Sequence, residues 1–250
     1  MIGSVGRSFD KFPMMQFAGL RKFYAAAVCT ICMSASAGAS ATEDKPGVWL
    51  AFSIMDAFRS GDEDSRWHYW FDAQARFFDP GSGVTQWVAR PGIGYRIGDN
   101  MKAWIGYGRF NTRNSSGTVA NENRYWQQLD WRAGIWLGGN VTMRARLEER
   151  SVTTGEDTAL VLRFLTKYVR PVGNNGNKNF VVGIEPFVEL NDTDWTGDAG
   201  LSQNRTFIGM GFRLSDSVSV ETGYMNQYIW VDGREDRSFH HATVSLNVRM

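Results

Sequence analysis

From His240 onward the chain alternates without a break. His240, Ala242, Val244, Leu246, Val248 and Met250 share one face of an extended chain, and His241, Thr243, Ser245, Asn247 and Arg249 share the other. Successive side chains of a strand point to opposite faces, so this period of two sorts apolar from polar residues, whereas a helix would scatter them around its axis. An alternating strand at the C-terminus is the expected closing strand of an antiparallel barrel. Similar segments of about ten residues recur upstream, separated by Gly, Asp, Asn and Ser, and no helical period of any length interrupts them.

A polar average does not exclude a membrane barrel, because such a barrel needs apolar residues only on the lipid-facing alternate positions. Charged residues make up 21% of the 250-residue chain, yet it carries ten tryptophans and 14% aromatic residues. Aromatic girdles at two membrane interfaces would use them. The N-terminal segment reads as export machinery. Arg21-Lys22 precedes the apolar stretch 23–33, and small residues lead to Ala39-Ser40-Ala41. This is the order of a secretory signal peptide, with cleavage expected after Ala41. Cys29 and Cys32 both lie inside it, so the mature chain would form no disulfide. The formal net charge is +1, and residues 1–41 hold Arg7, Lys11, Arg21 and Lys22 against Asp10. The remainder is thus slightly acidic, and nucleic acid is not an expected partner.

Working back from the end, strands are expected at 237–250, 218–230, 203–214, 179–190, 158–170, 140–151, 122–136, 101–112, 85–97 and 66–78, with 48–58 as an eleventh candidate. Tight turns at 98–100, 137–140 and 215–217 alternate with longer loops at 113–121, 191–202 and 231–236, which is the outer-membrane pattern with its long loops outside. A periplasmic C-terminus then makes 66–78 an ascending strand and gives ten strands. Segment 48–58 would have to descend from outside, which a periplasmic N-terminus forbids. The expectation is therefore an all-β, antiparallel transmembrane barrel of ten strands (twelve as the alternative), with 42–65 an N-terminal segment or first strand and 66–250 the barrel.

The polar face carries the chemistry. In 140–151, Val141, Met143, Ala145 and Leu147 alternate with Arg144, Arg146, Glu148 and Arg150. In 122–136, Tyr125, Leu129, Trp131 and Ile135 alternate with Arg124, Asp130 and Arg132. Arg76, Glu185, Glu189, Arg205 and Arg213 occupy the same face of their strands, as do Asp72, Arg90, Arg96, Lys102, Glu122, Arg163, Lys167, Glu221 and Arg249. A solvated exterior would mix Lys, Ser and Thr. This face instead favours arginine, which pairs bidentately with carboxylates in confined places. It is expected to line a polar, Arg/Glu-rich lumen.

Certain runs are also familiar as motifs. Glu122-Asn123-Arg124-Tyr125-Trp126-Gln127-Gln128, Arg144-Ala145-Arg146-Leu147-Glu148-Glu149-Arg150, Glu185-Pro186-Phe187-Val188-Glu189 and Arg90-Pro91-Gly92-Ile93-Gly94-Tyr95, with Gln203-Asn204-Arg205 and Gly223-Tyr224-Met225, resemble an uncharacterised bacterial family catalogued as domain of unknown function 2490. The resemblance covers about residues 48–250. It implies an outer-membrane barrel and implies no activity.

Basic residues exceed acids on the polar face, so a water-filled lumen would lean toward anions. Barrels of about eight strands are filled by side chains, and open channels appear near sixteen. The expected protein is thus a monomer in the outer membrane of a Gram-negative cell, structural or a narrow anion-leaning pore. Its expected partners are outer-membrane lipid, lipopolysaccharide and, through the last strand, the barrel-assembly machinery. No cofactor is expected. The alternative is a hydrolase at the extracellular rim, omptin-like or phospholipase-like, using His240 or His241 with Asp236. The two histidines point to opposite faces and cannot chelate one metal together. No metal site is expected, and the acidic stretches 61–64 and 191–198 read as solvated turns.

Overall fold

A computed structural model describes residues 42–60, 63–173 and 176–250; the expected leader, 1–41, lies outside them, as do Gly61 and Asp62. The strands are β1 (Thr42–Ser60), β2 (Glu63–Phe78), β3 (Val84–Gly98), β4 (Met101–Arg113), β5 (Val119–Trp136), β6 (Gly139–Val152), β7 (Ala159–Val172), β8 (Lys178–Glu189), β9 (Gly200–Arg213), β10 (Val218–Ile229) and β11 (Asp236–Val248). Each pairs antiparallel with its sequence neighbour, and β1 pairs with β11, so the sheet closes into one barrel.

Among the described residues the count is eleven, where ten or twelve was expected. Segment 48–58 is a barrel strand, and because the closing pair is parallel the expectation that both ends of the barrel lie on the same side is corrected. Thr42 lies opposite Asp236 and Ile54 opposite Val248. An antiparallel meander with an odd number of strands can close only through one parallel pair. Closure requires hydrogen bonds across the seam, and parallel ladders supply them with evenly spaced, slanted bonds. The two ends of the meander consequently sit at opposite mouths. The mouth holding Thr42 and Asp236 is here the upper one, and the mouth holding Val248 the lower.

Turn chemistry follows the two mouths. Lower connections are tight, with two residues at 99–100 and at 137–138, while the upper connection 190–199 has ten. Leu137 and Gly138 both have positive φ, 45° and 76°, as a two-residue hairpin of matching twist requires. β-Bulges between Arg132 and Gly134 on β5 and between Ala57 and Arg59 on β1 bend the lower rim.

Alternation then sorts side chains to two faces. Leu50, Phe52, Phe71, Ile93, Ile105, Phe164, Ile208 and Val244 stand exposed on the outside. Aromatic pairs gather toward both ends of this outer face: Tyr107 on Tyr125 and Phe77 on Trp87 above, Trp67 on Tyr95 and Trp136 on Tyr168 below. The inner face holds both the charges and several tryptophans. Gly92 and Gly106 lie under Trp126, and Gly94 under Trp104, so closely that a Cβ at any of them would overlap the indole ring. Small inward residues on β3 and β4 are what let these large rings fit a narrow barrel.

Candidate functional site

Elementary electrostatics requires charges inside such a barrel to be paired and hydrogen-bonded. The hub is Glu148 on β6, which with Arg146 has 0% exposed surface. Its Oε2 accepts from Arg150 Nη2 at 2.7 Å, Arg150 Nε at 2.9 Å and Arg124 Nη1 at 3.1 Å. Its Oε1 accepts from Arg163 Nη1 at 2.5 Å and Arg146 Nη1 at 3.5 Å. Arg124 in turn forks onto both oxygens of Glu122 at 2.8 and 2.9 Å. Arg163 bridges to the second hub, Glu185, at 2.8 Å, which Arg144 also reaches at 2.7 Å. A third pair joins Arg90 to Asp72 at 2.7 Å.

Aromatic rings complete the coordination of these guanidiniums. Arg124 lies 3.7 Å from the centroid of Phe110, Arg76 3.8 Å from Trp49, Arg163 4.3 Å from Phe187 and Arg146 4.4 Å from Trp126. Such stacking on weakly hydrated, planar cations is favourable when water is excluded. Some contacts are chords across the lumen. Arg146 of β6 lies 5.1 Å from the ring of Trp70 on β2, and Lys167 of β7 pairs with Glu221 of β10 at 2.7 Å.

The alternation of the sequence thus places Arg76, Arg124, Asp130, Arg144, Arg146, Glu148, Arg150, Glu185, Glu189 and Arg205 inside. Arg132 and Arg213 keep the inward phase but stand exposed at the lower mouth. The interior aromatics were not legible as lumen residues, because apolar type was equated with the outer face. Their signal was position: Trp70 falls between His68 and Asp72, and Trp126 between Arg124 and Gln128, on the polar phase of their strands.

The rim candidates are not brought together. His240 faces outward. Its Nδ1 meets the Tyr224 hydroxyl at 2.5 Å, while its Nε2 faces both Ser238 Oγ at 3.3 Å and Asp44 Oδ1 at 3.1 Å. A base that activates a nucleophile through one nitrogen must be oriented through the other. Here Ser238 and Asp44 share one nitrogen. His241 is buried inside, among Trp49, Phe78 and Phe239, with Nε2 toward Gln227 at 3.2 Å. Asp236 accepts from the Tyr228 hydroxyl at 2.7 Å and the Val231 amide at 3.0 Å, holding the β10–β11 connection rather than a histidine. Among the described residues, no group of three or more His, Cys, Asp or Glu is placed to hold a metal ion.

The upper connections 153–158 and 190–199 latch together. Asp194 accepts from the amides of Glu156 at 2.9 Å and Asp157 at 3.2 Å, and Asp157 accepts from the Asp194 amide at 2.9 Å. Trp195 donates to the Asp157 carbonyl at 2.9 Å and packs on Ala159, Val161 and Phe187. The amides of Glu156 and Asp157 hold the Asp194 carboxyl below its ordinary value. A depressed carboxyl contributes fully above its unfolded pKa and is lost as pH falls through the folded one. Protection of 190–199 from proteolysis is therefore expected to stay constant from neutrality to about pH 4 and to fall only in stronger acid. Loosening already near neutrality would contradict this assignment.

The family described as "Protein of unknown function (DUF2490)" matches residues 47–238. An uncharacterised protein of Methylorubrum extorquens is 30% identical over 225 residues, covering 90% of this chain and 96% of that protein. Among solved structures, the NanC porin matches with a TM-score of 0.43 at 11% identity, over 77% of this chain and 93% of its own. The siderophore receptor PirA from Pseudomonas aeruginosa matches with a TM-score of 0.33 at 11% identity, over 72% of this chain and 38% of its own.

Proposed function

The chain belongs to the DUF2490 family, whose description assigns no role, and from its geometry we propose a monomeric outer-membrane barrel whose narrow, anion-leaning lumen is held shut at rest. The outer face supports the membrane setting. Large apolar side chains stand exposed on most of the strands, with aromatic pairs toward both mouths. Water-soluble surfaces do not carry continuous apolar belts of this extent, whereas a bilayer requires one about 25 Å tall between aromatic girdles. Long connections at the upper mouth support an orientation with that mouth outside the cell. Lipid and lipopolysaccharide then contact the belt, and β11 is the strand offered to the assembly machinery.

The observation that carries the closed state is the set of chords. Arg146, with no exposed surface, spans to Trp70, and Lys167 to Glu221, so side chains cross the lumen at two levels. Planar-bilayer recording tests it. The wild-type barrel is expected to show no sustained stepwise current. The double variant Trp70→Ala, Arg146→Ala is expected to show small steps whose reversal potential favours anions. Sustained wild-type steps would overturn the closed state, and a cation-selective reversal potential would overturn the anion preference.

A further inference from the structure

Below the Glu148 cluster the lumen widens into a chamber of about 450 Å³. Six cationic side chains line it, Arg76, Arg90, Arg144, Arg163, Lys167 and Arg205, against four carboxylates, Asp72, Asp130, Glu185 and Glu221. The wall therefore carries two positive charges in excess. Above, Glu148 and Arg146 have no accessible surface. Of the cations, Lys167 and Arg144 are the ones most open to the chamber among those in ion pairs, with side chains 33% and 20% exposed. Apolar side chains complete the wall: Met55 on β1, Phe207 and Met225 as cross-strand neighbours on β9 and β10, and Leu165 beside Arg144.

The two mouths differ in sign. At the lower mouth, the inward phase of the strands carries Arg96, Lys102, Arg132, Arg213 and Arg249. Arg96, Arg132 and Arg249 all act on Lys102, although they come from three other strands or their ends, with Asp130 nearby. The upper connections carry Asp79, Glu156, Asp157, Asp192, Asp194, Asp198, Asp232 and Glu235 against Arg234, while the lower connections carry only Asp99 and Asp216 among their described residues. Charge of one sign around a narrow, low-dielectric mouth raises the local concentration of the opposite ion. An anion is thus drawn in from below.

We propose that this chamber binds a small organic dianion, a dicarboxylate or a phosphate monoester, taken in through the lower mouth. Its oxyanion head sits on Arg144 and Lys167, and its carbon skeleton lies on Met55, Phe207 and Met225. A dianion matches the two-charge excess of the wall; a monoanion leaves half of it uncompensated. The apolar part of the wall favours an organic ligand over an inorganic one. The site rests on the anion-leaning lumen proposed above, and binding is measured separately from conductance, so an open wild-type channel would overturn the closed state without touching the chamber.

Isothermal titration of the detergent-solubilised barrel tests the site, with succinate, glycerol phosphate, inorganic phosphate and acetate as probes. Succinate or glycerol phosphate is expected to bind, and whichever binds identifies the head group. Arg144→Gln with Lys167→Gln is expected to weaken that binding by about tenfold or more, and Arg234→Gln, in an upper connection, to leave it unchanged. Because the double variant removes two ion pairs, Lys167→Gln alone and its rescue by Lys167→Arg are titrated as well, each after a check of folded electrophoretic mobility. No binding of either organic dianion, equal binding by wild type and Lys167→Gln, or acetate or inorganic phosphate binding as tightly as the organic dianions, would overturn the proposal.

Discussion

Replacing Glu148 by alanine is expected to destabilise the barrel by about 3–5 kcal/mol, read as a lower midpoint of heat- or denaturant-induced unfolding in detergent. The magnitude follows from what remains. Arg124, Arg146, Arg150 and Arg163 all donate to this one carboxylate at 2.5–3.5 Å. Without it, four guanidiniums face one another with no exposed surface at Arg146 to admit solvent. A buried ion pair adds little net stability when intact, because desolvation offsets its Coulombic attraction, but removing one partner leaves the whole desolvation cost uncompensated. Glu148→Gln should fall between, since the amide still accepts hydrogen bonds but carries no charge. An unchanged midpoint for Glu148→Ala would mean that water or neighbouring carboxylates already screen the cluster.

The second large effect lies on the other face. Val244→Arg is expected to cost about 2–4 kcal/mol in a bilayer, and Glu149→Arg only about 0–1 kcal/mol. Val244 is an outward residue of β11 standing beside Leu50 across the parallel seam. Glu149 is also outward, but it lies opposite Tyr125, at the upper aromatic level. An arginine beside Val244 enters hydrocarbon, whereas one in place of Glu149 reaches head groups. If the barrel were water-soluble, both changes would be near neutral. Equal, small costs in lipid vesicles would therefore remove the membrane setting itself.

These two positions also show how much could be read before any coordinates. A strand presents alternate residues to opposite faces whatever its neighbours do. The outward phase of Val244 and the inward phase of Glu148 were accordingly legible from local pattern alone, as were most strand limits and the family resemblance. The inward tryptophans were missed because residue type was used as a proxy for face. Inside a narrow barrel, an indole over an arginine satisfies both burial and charge, as Trp126 does over Arg146.

What local pattern could not decide is how the ends meet and which charges pair. Strand number turned on β1 lying parallel to β11, a contact between Thr42 and Asp236 that no short-range signal encodes. The inward arginines and carboxylates could be paired in many ways. The hub at Glu148 exists because the register sets Arg124 beside Arg150 on one side of it and Arg163 beside Arg146 on the other. The sequence by itself determined that this chain is an alternating, all-β barrel former with an arginine-rich inner face, because alternation is a property of each strand alone. Only the tertiary structure decided the eleventh strand, the parallel seam, the Glu148 hub and the chamber beneath it, because closure and ion pairing join residues far apart in the chain.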